Sequence, residues 1–145
     1  MLIDGLSNAG AIPALELAMR YAARRQDLIA HNIANLDTPE FIAKDVRPAE
    51  FQRVLGEAID RRRAARGAGE LEWDETREMR TGPDGGLSLE PRTPAGGVLF
   101  HDRGSRDLER MMQDLAENAG MFRVASEMLR GRVGSLRNAI AERVG

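Results

Sequence analysis

The chain has 145 residues, of which 30% are charged, 42% are hydrophobic and 4% are aromatic, and its formal net charge is −2. So few aromatic side chains favour elongated helices over the core of a conventional enzyme domain. The near-neutral charge argues against a dedicated nucleic-acid-binding protein, which carries a strong basic excess. Because the chain has no cysteine, disulfide bonds, thiolate metal sites and cysteine nucleophiles are excluded.

The first segment, residues 1–43, is predicted to form one long helix over 13–36, followed by a turn. Pro13 suits the first turn of a helix, and Thr38 precedes Pro39, which ends helical backbone. Between them, apolar residues recur at alternating spacings of four and three, as in the seam of a coiled coil. With Gln26 as a polar member, this predicted assembly seam consists of Leu15, Met19, Ala22, Ile29, Ile33 and Leu36.

The second segment, residues 44–66, is predicted to hold a short amphipathic helix that ends in an arginine cluster. This cluster could contact nucleic acid or an anionic membrane, but no aromatic residues interleave with it, so a solvated helix end is the favoured interpretation. The cluster consists of Arg61, Arg62, Arg63 and Arg66. The apolar face consists of Phe51, Val54, Leu55, Ala58 and Ile59.

The third segment, residues 67–104, is rich in glycine and proline and includes the run Gly-Pro-Asp-Gly-Gly at 82–86. Such residues are typical of turns and loops. A flexible, partly disordered loop is favoured over the alternative, a short β-hairpin. The apolar residues available to a hairpin are Leu71, Trp73, Leu87, Leu89, Val98 and Phe100.

The last segment, residues 105–145, is predicted to be a second seam-bearing helix, with Ser105 as a candidate N-cap. Residues 107–143 would form a rod of about 55 Å. A second apolar row, at Met111, Ala125 and Met128, lies beside the seam. With Ser126 as its polar member, the seam includes Leu108, Met112, Leu115, Phe122, Leu129, Val133, Leu136 and Ile140.

The two seams predict a mainly α-helical fold in which the terminal helices pair as an antiparallel coiled coil. Aligning the polar residues Gln26 and Ser126 would place Leu15 near Arg137 and Leu36 near Ala116. The last helix also contains three glycines, each of which costs about 1 kcal/mol relative to alanine. A lone helix pair would therefore be marginal, which favours self-assembly over the alternative that Gly120, Gly131 and Gly134 permit close packing within a monomer.

Residues with the spacing of a catalytic or metal site are scarce. His31 and His101 are the only histidines, and no zinc-protease or phosphate-binding motif occurs. We therefore expect no catalytic residues, cofactor, metal, small-molecule substrate or nucleic acid, and predict an assembly protein rather than an enzyme. Asp4 stands where a secretory signal would carry lysine or arginine, so no cleaved signal is expected.

Residues 32–41, Asn-Ile-Ala-Asn-Leu-Asp-Thr-Pro-Glu-Phe, resemble the Asn-hydrophobic-Ala-Asn-x-x-Thr-Pro-Gly-Tyr signature of the flagellar rod, hook and hook-filament axial proteins. Residues 107–112, 116–118 and 136–140 are similar to the carboxy-terminal block of the proximal rod members of that family. Glu40 replaces the usual glycine, which implies either an ordinary turn or a modest strain. The turn motif consists of Asn32, Asn35, Thr38, Pro39, Glu40 and Phe41.

The resemblance implies a structural subunit of the bacterial flagellar basal-body rod. Such subunits leave the cytoplasm through the flagellar type III export apparatus without a cleaved signal. They polymerise through their terminal helices into the periplasm-spanning shaft that transmits torque from the membrane ring to the hook. The implied partners are copies of the chain, other rod proteins, and the membrane-ring and rod-adaptor proteins at the rod base. The alternative is a helical-hairpin scaffold or adaptor of another complex.

Overall fold

The computed structural model describes residues 10–67, 70–93 and 105–144, with side chains of the last helix described over 108–142. The predicted mainly helical fold is confirmed. Along the chain, two long helices near the termini flank a shorter helix and a two-stranded antiparallel sheet. In chain order the elements are α1 (Ile12–Ala34), α2 (Pro48–Ala64), β1 (Met79–Thr81), β2 (Leu87–Leu89) and α3 (Ser105–Val144).

Helices α1 and α3 pack against each other in antiparallel orientation, as predicted. Ala22 contacts Asn118, whereas Arg25, further along α1, contacts Asp114, which is earlier on α3. At 1.5 Å per residue, α3 measures about 60 Å and α1 about 35 Å. Part of α3 therefore extends beyond the length of α1.

The predicted register of this helix pair is wrong. Gln26 does not align with Ser126, because its Oε1 atom accepts a hydrogen bond from Asn118 Nδ2 at 2.8 Å. Asn118 lies outside the predicted seam, although the resemblance to the axial proteins implies that it makes a polar contact inside the packed helices. Burial of Asn118 is possible because partners on α1 satisfy its amide N–H groups.

Helix α1 is buried on two adjacent rows. Ala22 and Ile29 belong to the predicted seam, whereas Ala18 and Tyr21 belong to a neighbouring row that faces the middle of the chain. The ring of Tyr21 stacks on Phe51 of α2 at a centroid distance of 3.8 Å. The amphipathic face predicted for α2 is confirmed, since Phe51, Val54 and Ala58 are buried and Leu55 and Ile59 are half-buried.

The middle segment contains a β-hairpin, so the preference for a loop is wrong over residues 79–89. Met79 pairs with Leu89 and Thr81 with Leu87. The run 82–86 forms the connecting turn, in which Gly82 N–H donates to the carbonyl oxygen of Gly86 at 2.7 Å. The hairpin is stable because Met79 and Leu87 are buried in the core beside α1.

The other apolar residues considered for a hairpin lie elsewhere. Leu71 and Trp73 precede the strands and are half-buried against the core. Val98 and Phe100 lie outside the described residues. Burial of this segment explains why the core is larger than a helix pair alone would form. The buried core cluster consists of Leu17, Ala18, Tyr21, Val46, Phe51, Val54, Met79, Leu87 and Ala125.

A buried carboxylate links the hairpin to the start of α2. Glu78 accepts hydrogen bonds from the backbone N–H and from Nε of Arg47, both at 2.8 Å. Arg47 also forms an ion pair with Glu50 in the first turn of α2. These contacts join two segments that are 31 residues apart in sequence.

The three glycines of α3 are not needed for close packing within the chain. A Cβ atom added at Gly120, Gly131 or Gly134 would meet no described atom within 4 Å outside the local helix backbone. The alternative that they permit close packing within a monomer is therefore wrong for the described part of the molecule.

Candidate functional site

Asn32 connects the end of α1 to the chain segment that returns along it. Its Nδ2 atom donates to the carbonyl oxygen of Lys44 at 2.7 Å, and its Oδ1 atom accepts from Lys44 N–H at 3.2 Å. The side-chain amide thus pairs with one residue's backbone in the way that a neighbouring strand would. Because Asn32 is buried, loss of either bond would leave an amide group without a partner.

The turn after α1 adopts the backbone geometry that glycine favours, although Glu40 occupies it. Glu40 has a φ of 61°, and Phe41 N–H donates to the carbonyl oxygen of Thr38 at 3.1 Å. With Pro39 in the second position, this is the arrangement of a type II turn, which requires positive φ at its third residue. Of the two alternatives left open by the sequence, the structure has the strained one.

Two further motif residues surround His31, which is exposed near the end of α1. Asn35 Nδ2 donates to the carbonyl oxygen of His31 at 2.8 Å and so caps the last turn of the helix. The ring of Phe41 contacts the His31 imidazole edge-on at a centroid distance of 5.7 Å. The turn motif therefore folds back onto the end of α1.

Arg25 joins three parts of the chain, a role that no pattern in the sequence predicts. Its side chain is 4% exposed and binds both carboxylate oxygens of Asp45, through Nε at 3.1 Å and Nη2 at 2.7 Å. Nη2 also lies 3.3 Å from Asp114 of α3. Burial acts to lower the pKa of Arg25, but the hydrogen bond and charge of Asp45 outweigh it and raise that pKa. The only signal in the sequence is a charged residue four positions after Tyr21, on the same helix face.

Tyr21 lies beside this ion network in the core. Its ring is fully buried, and its hydroxyl has no hydrogen-bond partner among the described residues. Burial raises the pKa of Tyr21 well above its ordinary value, because the ionised phenolate would lose its hydration. The phenol is therefore neutral at physiological pH.

Asn118 occupies the centre of the contact between α1 and α3. Its side chain is 2% exposed, and Nδ2 donates to the carbonyl oxygen of Ala22 and to Gln26 Oε1, both at 2.8 Å. Ala125, two turns further along α3, is also buried. These residues show that the packed face of α3 is centred on a row beside the predicted seam.

The predicted seam residues differ in exposure between the two helices. On α1, Ala22 and Ile29 are buried, and Leu15, Met19, Ile33 and Leu36 are half-buried. On α3, Leu115, Leu129, Val133 and Leu136 are half-buried. The four other seam residues of α3 are exposed, so they do not close the helix pair within one chain. They are Leu108, Met112, Phe122 and Ile140.

A groove with a volume of about 570 Å³ runs between α1 and α3 on the side that exposes Phe122. Its floor contains the small side chains of Ala22, Ala23 and Ala119, which leave room for another side chain. Other residues along it are Gln26, Asp27, Asn118, Arg123, Ser126 and Arg130.

The arginine cluster is largely engaged in contacts within the chain. Arg61 forms an ion pair with Asp74 at 3.1 Å, and Arg63 lies 3.5 Å from Asp60. Arg62 is buried and donates to the carbonyl oxygen of Gly67 at 3.4 Å. These contacts favour a structural role over a surface for nucleic acid.

The described residues contain no group of three or more histidine, aspartate or glutamate side chains placed to hold a metal ion. Within the same ranges, no helix combines the length and apolarity needed to cross a bilayer.

No protein-family profile matches the chain. Individual proteins do match it along most of its length. The flagellar basal body rod protein FlgB of Bacillus subtilis is 28% identical over 133 residues, which cover 91% of this chain and 94% of that protein. FlgB of Escherichia coli is 28% identical over 128 residues, with 85% and 87% covered. FlgB of Yersinia enterocolitica is 26% identical over 137 residues, with 92% and 95% covered. The resemblance predicted from the terminal motifs is confirmed: the chain is similar to the FlgB-type flagellar rod proteins along almost its whole length.

Proposed function

We propose that this chain is a structural subunit of the proximal flagellar rod, and that it polymerises through its terminal helices. In this role it transmits torque from the membrane ring to the hook. Similarity to FlgB over about nine-tenths of the chain supports a structural role in the basal-body rod. The antiparallel pairing of α1 and α3 supports assembly through the termini.

The observation that carries the proposal is the exposed apolar surface of α3. Among the described residues, seven large hydrophobic side chains are exposed, and six of these lie on α3. An apolar surface that a chain leaves uncovered indicates a protein interaction site. The six are Leu108, Met112, Phe122, Val124, Met128 and Ile140.

The turn motif would support this assembly because it holds the segment after the turn in place along α1. Asn32 binds Lys44, and Arg25 binds Asp45, so the segment after the turn is held along α1. With this segment in place, α1 directs its seam towards α3 and its adjacent row towards the core. Neighbouring subunits would then meet a surface of defined shape.

The proposed location is the rod in the periplasm, reached through the flagellar type III export apparatus without a cleaved signal. The proposed partners are copies of this chain, other rod proteins, and the membrane-ring and adaptor proteins at the rod base. The resemblance of the termini to the axial protein family supports these assignments. No catalytic activity is proposed.

The first test is imaging of basal bodies from cells that lack this chain. We expect the membrane ring without a complete rod and non-swimming cells, because every part distal to the proximal rod depends on it. Complete rods and normal swimming in such cells would contradict the proposal. That outcome would favour the alternative of a helical adaptor in another complex.

A second test replaces one exposed seam residue. Met112 is 53% exposed, so Met112→Asp places a charge where water already reaches and should leave the isolated chain folded. In the assembled rod the same charge would be buried without a partner, and rod formation should fail. Gln113→Glu adds the same charge at the neighbouring exposed position and is the matched control. Normal basal bodies with Met112→Asp would remove Met112 from the interface.

A further inference from the structure

Helix α3 exposes a second apolar strip on the side opposite the groove. We name it the ridge and define it as Gly120, Val124, Met128 and Gly131, which lie on one side of the helix. Val124 is 56% and Met128 is 58% exposed, so neither packs closely within the chain. A Cβ atom added at either glycine would meet no described atom within 4 Å outside the local helix, so another helix could approach this strip closely. The ridge therefore consists of the projecting side chains of Val124 and Met128, with a glycine that lacks a side chain at each end.

The groove between α1 and α3 has the complementary shape. Ala22, Ala23 and Ala119 give it a floor without bulky side chains, and Phe122 forms an apolar wall. Its volume of about 570 Å³ is large enough for several side chains of the size of valine or methionine. A projecting apolar strip on another helix would fill this space.

The groove carries more basic than acidic side chains, whereas the ridge is flanked by more acidic than basic ones. The groove is lined by Arg123 and Arg130 against one acidic residue, Asp27. Beside the ridge, Glu117 and Glu127 are exposed, and Arg132 follows one turn after Met128. Docking would thus place the two arginines and one aspartate of the groove against the two glutamates and one arginine beside the ridge. Such complementarity favours the meeting of these two surfaces over the meeting of either with itself.

We propose that the ridge of one copy of this chain docks in the groove of a second copy. This inference rests on the assembly role proposed above and identifies the two surfaces that perform it. Because the ridge and the groove are different surfaces on opposite sides of α3, the contact is heterologous. Each copy that docks presents its own free groove, so the association continues from copy to copy and does not stop at a dimer.

Disulfide cross-linking of the full-length chain tests this contact, since the protein has no native cysteine. Ala119→Cys places a thiol in the groove, and Val124→Cys places one on the ridge. The two positions are roughly 140° apart around the helix, so they cannot form a disulfide within one copy. We expect the double variant, oxidised at high protein concentration, to give a ladder of dimers, trimers and larger products.

The single variants separate heterologous from symmetric contacts. Each alone should stay monomeric, and an equimolar mixture of the two should give dimers only. Dimers from Val124→Cys alone, with no ladder from the double variant, would replace the proposal with a symmetric ridge contact. Absence of cross-linked product in every mixture would overturn it. Ala23→Cys is a second groove variant, and circular dichroism of each variant must match the parent.

Two substitutions on the ridge side then test shape and charge in the double-cysteine background. Gly131→Ala should raise the melting temperature, because alanine is the better helix former, yet reduce the cross-linked fraction several-fold by filling the gap. Glu127→Arg should also reduce that fraction, whereas Glu109→Arg, about 27 Å away on α3, makes the same charge change and should not. An unchanged cross-linked fraction with both ridge variants would overturn the assigned docking surface.

The outcomes of this experiment are distinct from those of the basal-body experiment. Rods missing from cells without the chain, together with no cross-linked ladder, would leave the rod function in place and reject this contact between copies. A ladder together with complete rods in such cells would support the contact and reject the rod function.

Discussion

Asn118 of α3 donates a hydrogen bond from Nδ2 to the main-chain carbonyl oxygen of Ala22 on α1, at 2.8 Å. A polar side chain that is almost fully buried thus sits at the centre of the contact between the two long helices. The bond to a backbone atom defines how far α3 is displaced along α1, since another register would leave the N–H group of the Asn118 amide without a partner, as its Oδ1 atom already is among the described residues. Asn118 therefore sets the register of the pair.

Replacement of this side chain should weaken the helix pair. Asn118→Ala removes the bonds to Ala22 and Gln26, and we expect the free energy of unfolding to fall by about 2 kcal/mol. Urea denaturation followed by circular dichroism measures the change. Asn138→Ala, at an exposed position of the same helix, should change stability by less than about 0.5 kcal/mol. Equal effects of the two variants would contradict the role of Asn118 in the register.

The ion network of Arg25 should depend on the shape of the guanidinium as well as on its charge. Arg25→Met leaves Asp45 and Asp114 without their cation, and we expect a loss of about 3 kcal/mol in the free energy of unfolding. Arg25→Lys keeps the charge but cannot bind both oxygens of Asp45 with a planar fork, so it should lose about half as much. The exposed Arg24→Met is the control. An unchanged free energy of unfolding for Arg25→Lys would show that the positive charge alone stabilises the network.

The strained turn offers a substitution that should stabilise the chain. Glu40→Gly relieves the positive φ of 61°, which costs a residue with a side chain about 1 kcal/mol, and part of this gain is offset by greater freedom of the unfolded chain. We expect a net rise in melting temperature. Asp37→Gly, at the residue just before this turn and without positive φ, should lower the melting temperature. A lower melting temperature for both variants would contradict the presence of strain at Glu40.

Tyr21 should make the stability of the chain depend on alkaline pH. Its pKa is raised in the folded chain, so the unfolded phenol ionises first, near its ordinary pKa of about 10. The contribution of the neutral Tyr21 phenol to the free energy of unfolding is therefore complete below that pH and is lost as the pH rises further. Tyr21→Phe should reduce the loss of stability between about pH 10 and pH 11, measured by urea denaturation.

The same substitution has a clear expectation at neutral pH. Because the hydroxyl has no partner among the described residues, Tyr21→Phe should leave the free energy of unfolding unchanged or raise it by about 1 kcal/mol. Tyr21 is the only tyrosine, so phenolate absorbance reports its ionisation directly in the unsubstituted chain. Ionisation near pH 10 without unfolding would contradict the burial of this group.

Much of the helical architecture can be predicted because it depends on local regularities. The spacing of apolar residues predicts α1, α2 and α3, although α1 ends at Ala34, two residues before its predicted end. The hairpin was not favoured because its strands have only three residues each, too short for a periodic signal. Its stability comes from Met79 and Leu87, which meet the core through contacts that are distant in sequence.

Local sequence patterns are enough to predict that this protein is mainly helical, that its long helices lie near its two ends, and that its motifs resemble those of the axial proteins. These properties follow from neighbours a few positions apart, where backbone geometry sets which side chains share a face. The register of the helix pair, the partners of Arg25 and Asn118, and the apolar residues of α3 that remain uncovered depend instead on the folded chain. Burial of Arg25 and Asn118 depends on partners that are distant in sequence, and these partners come together only once the chain has folded.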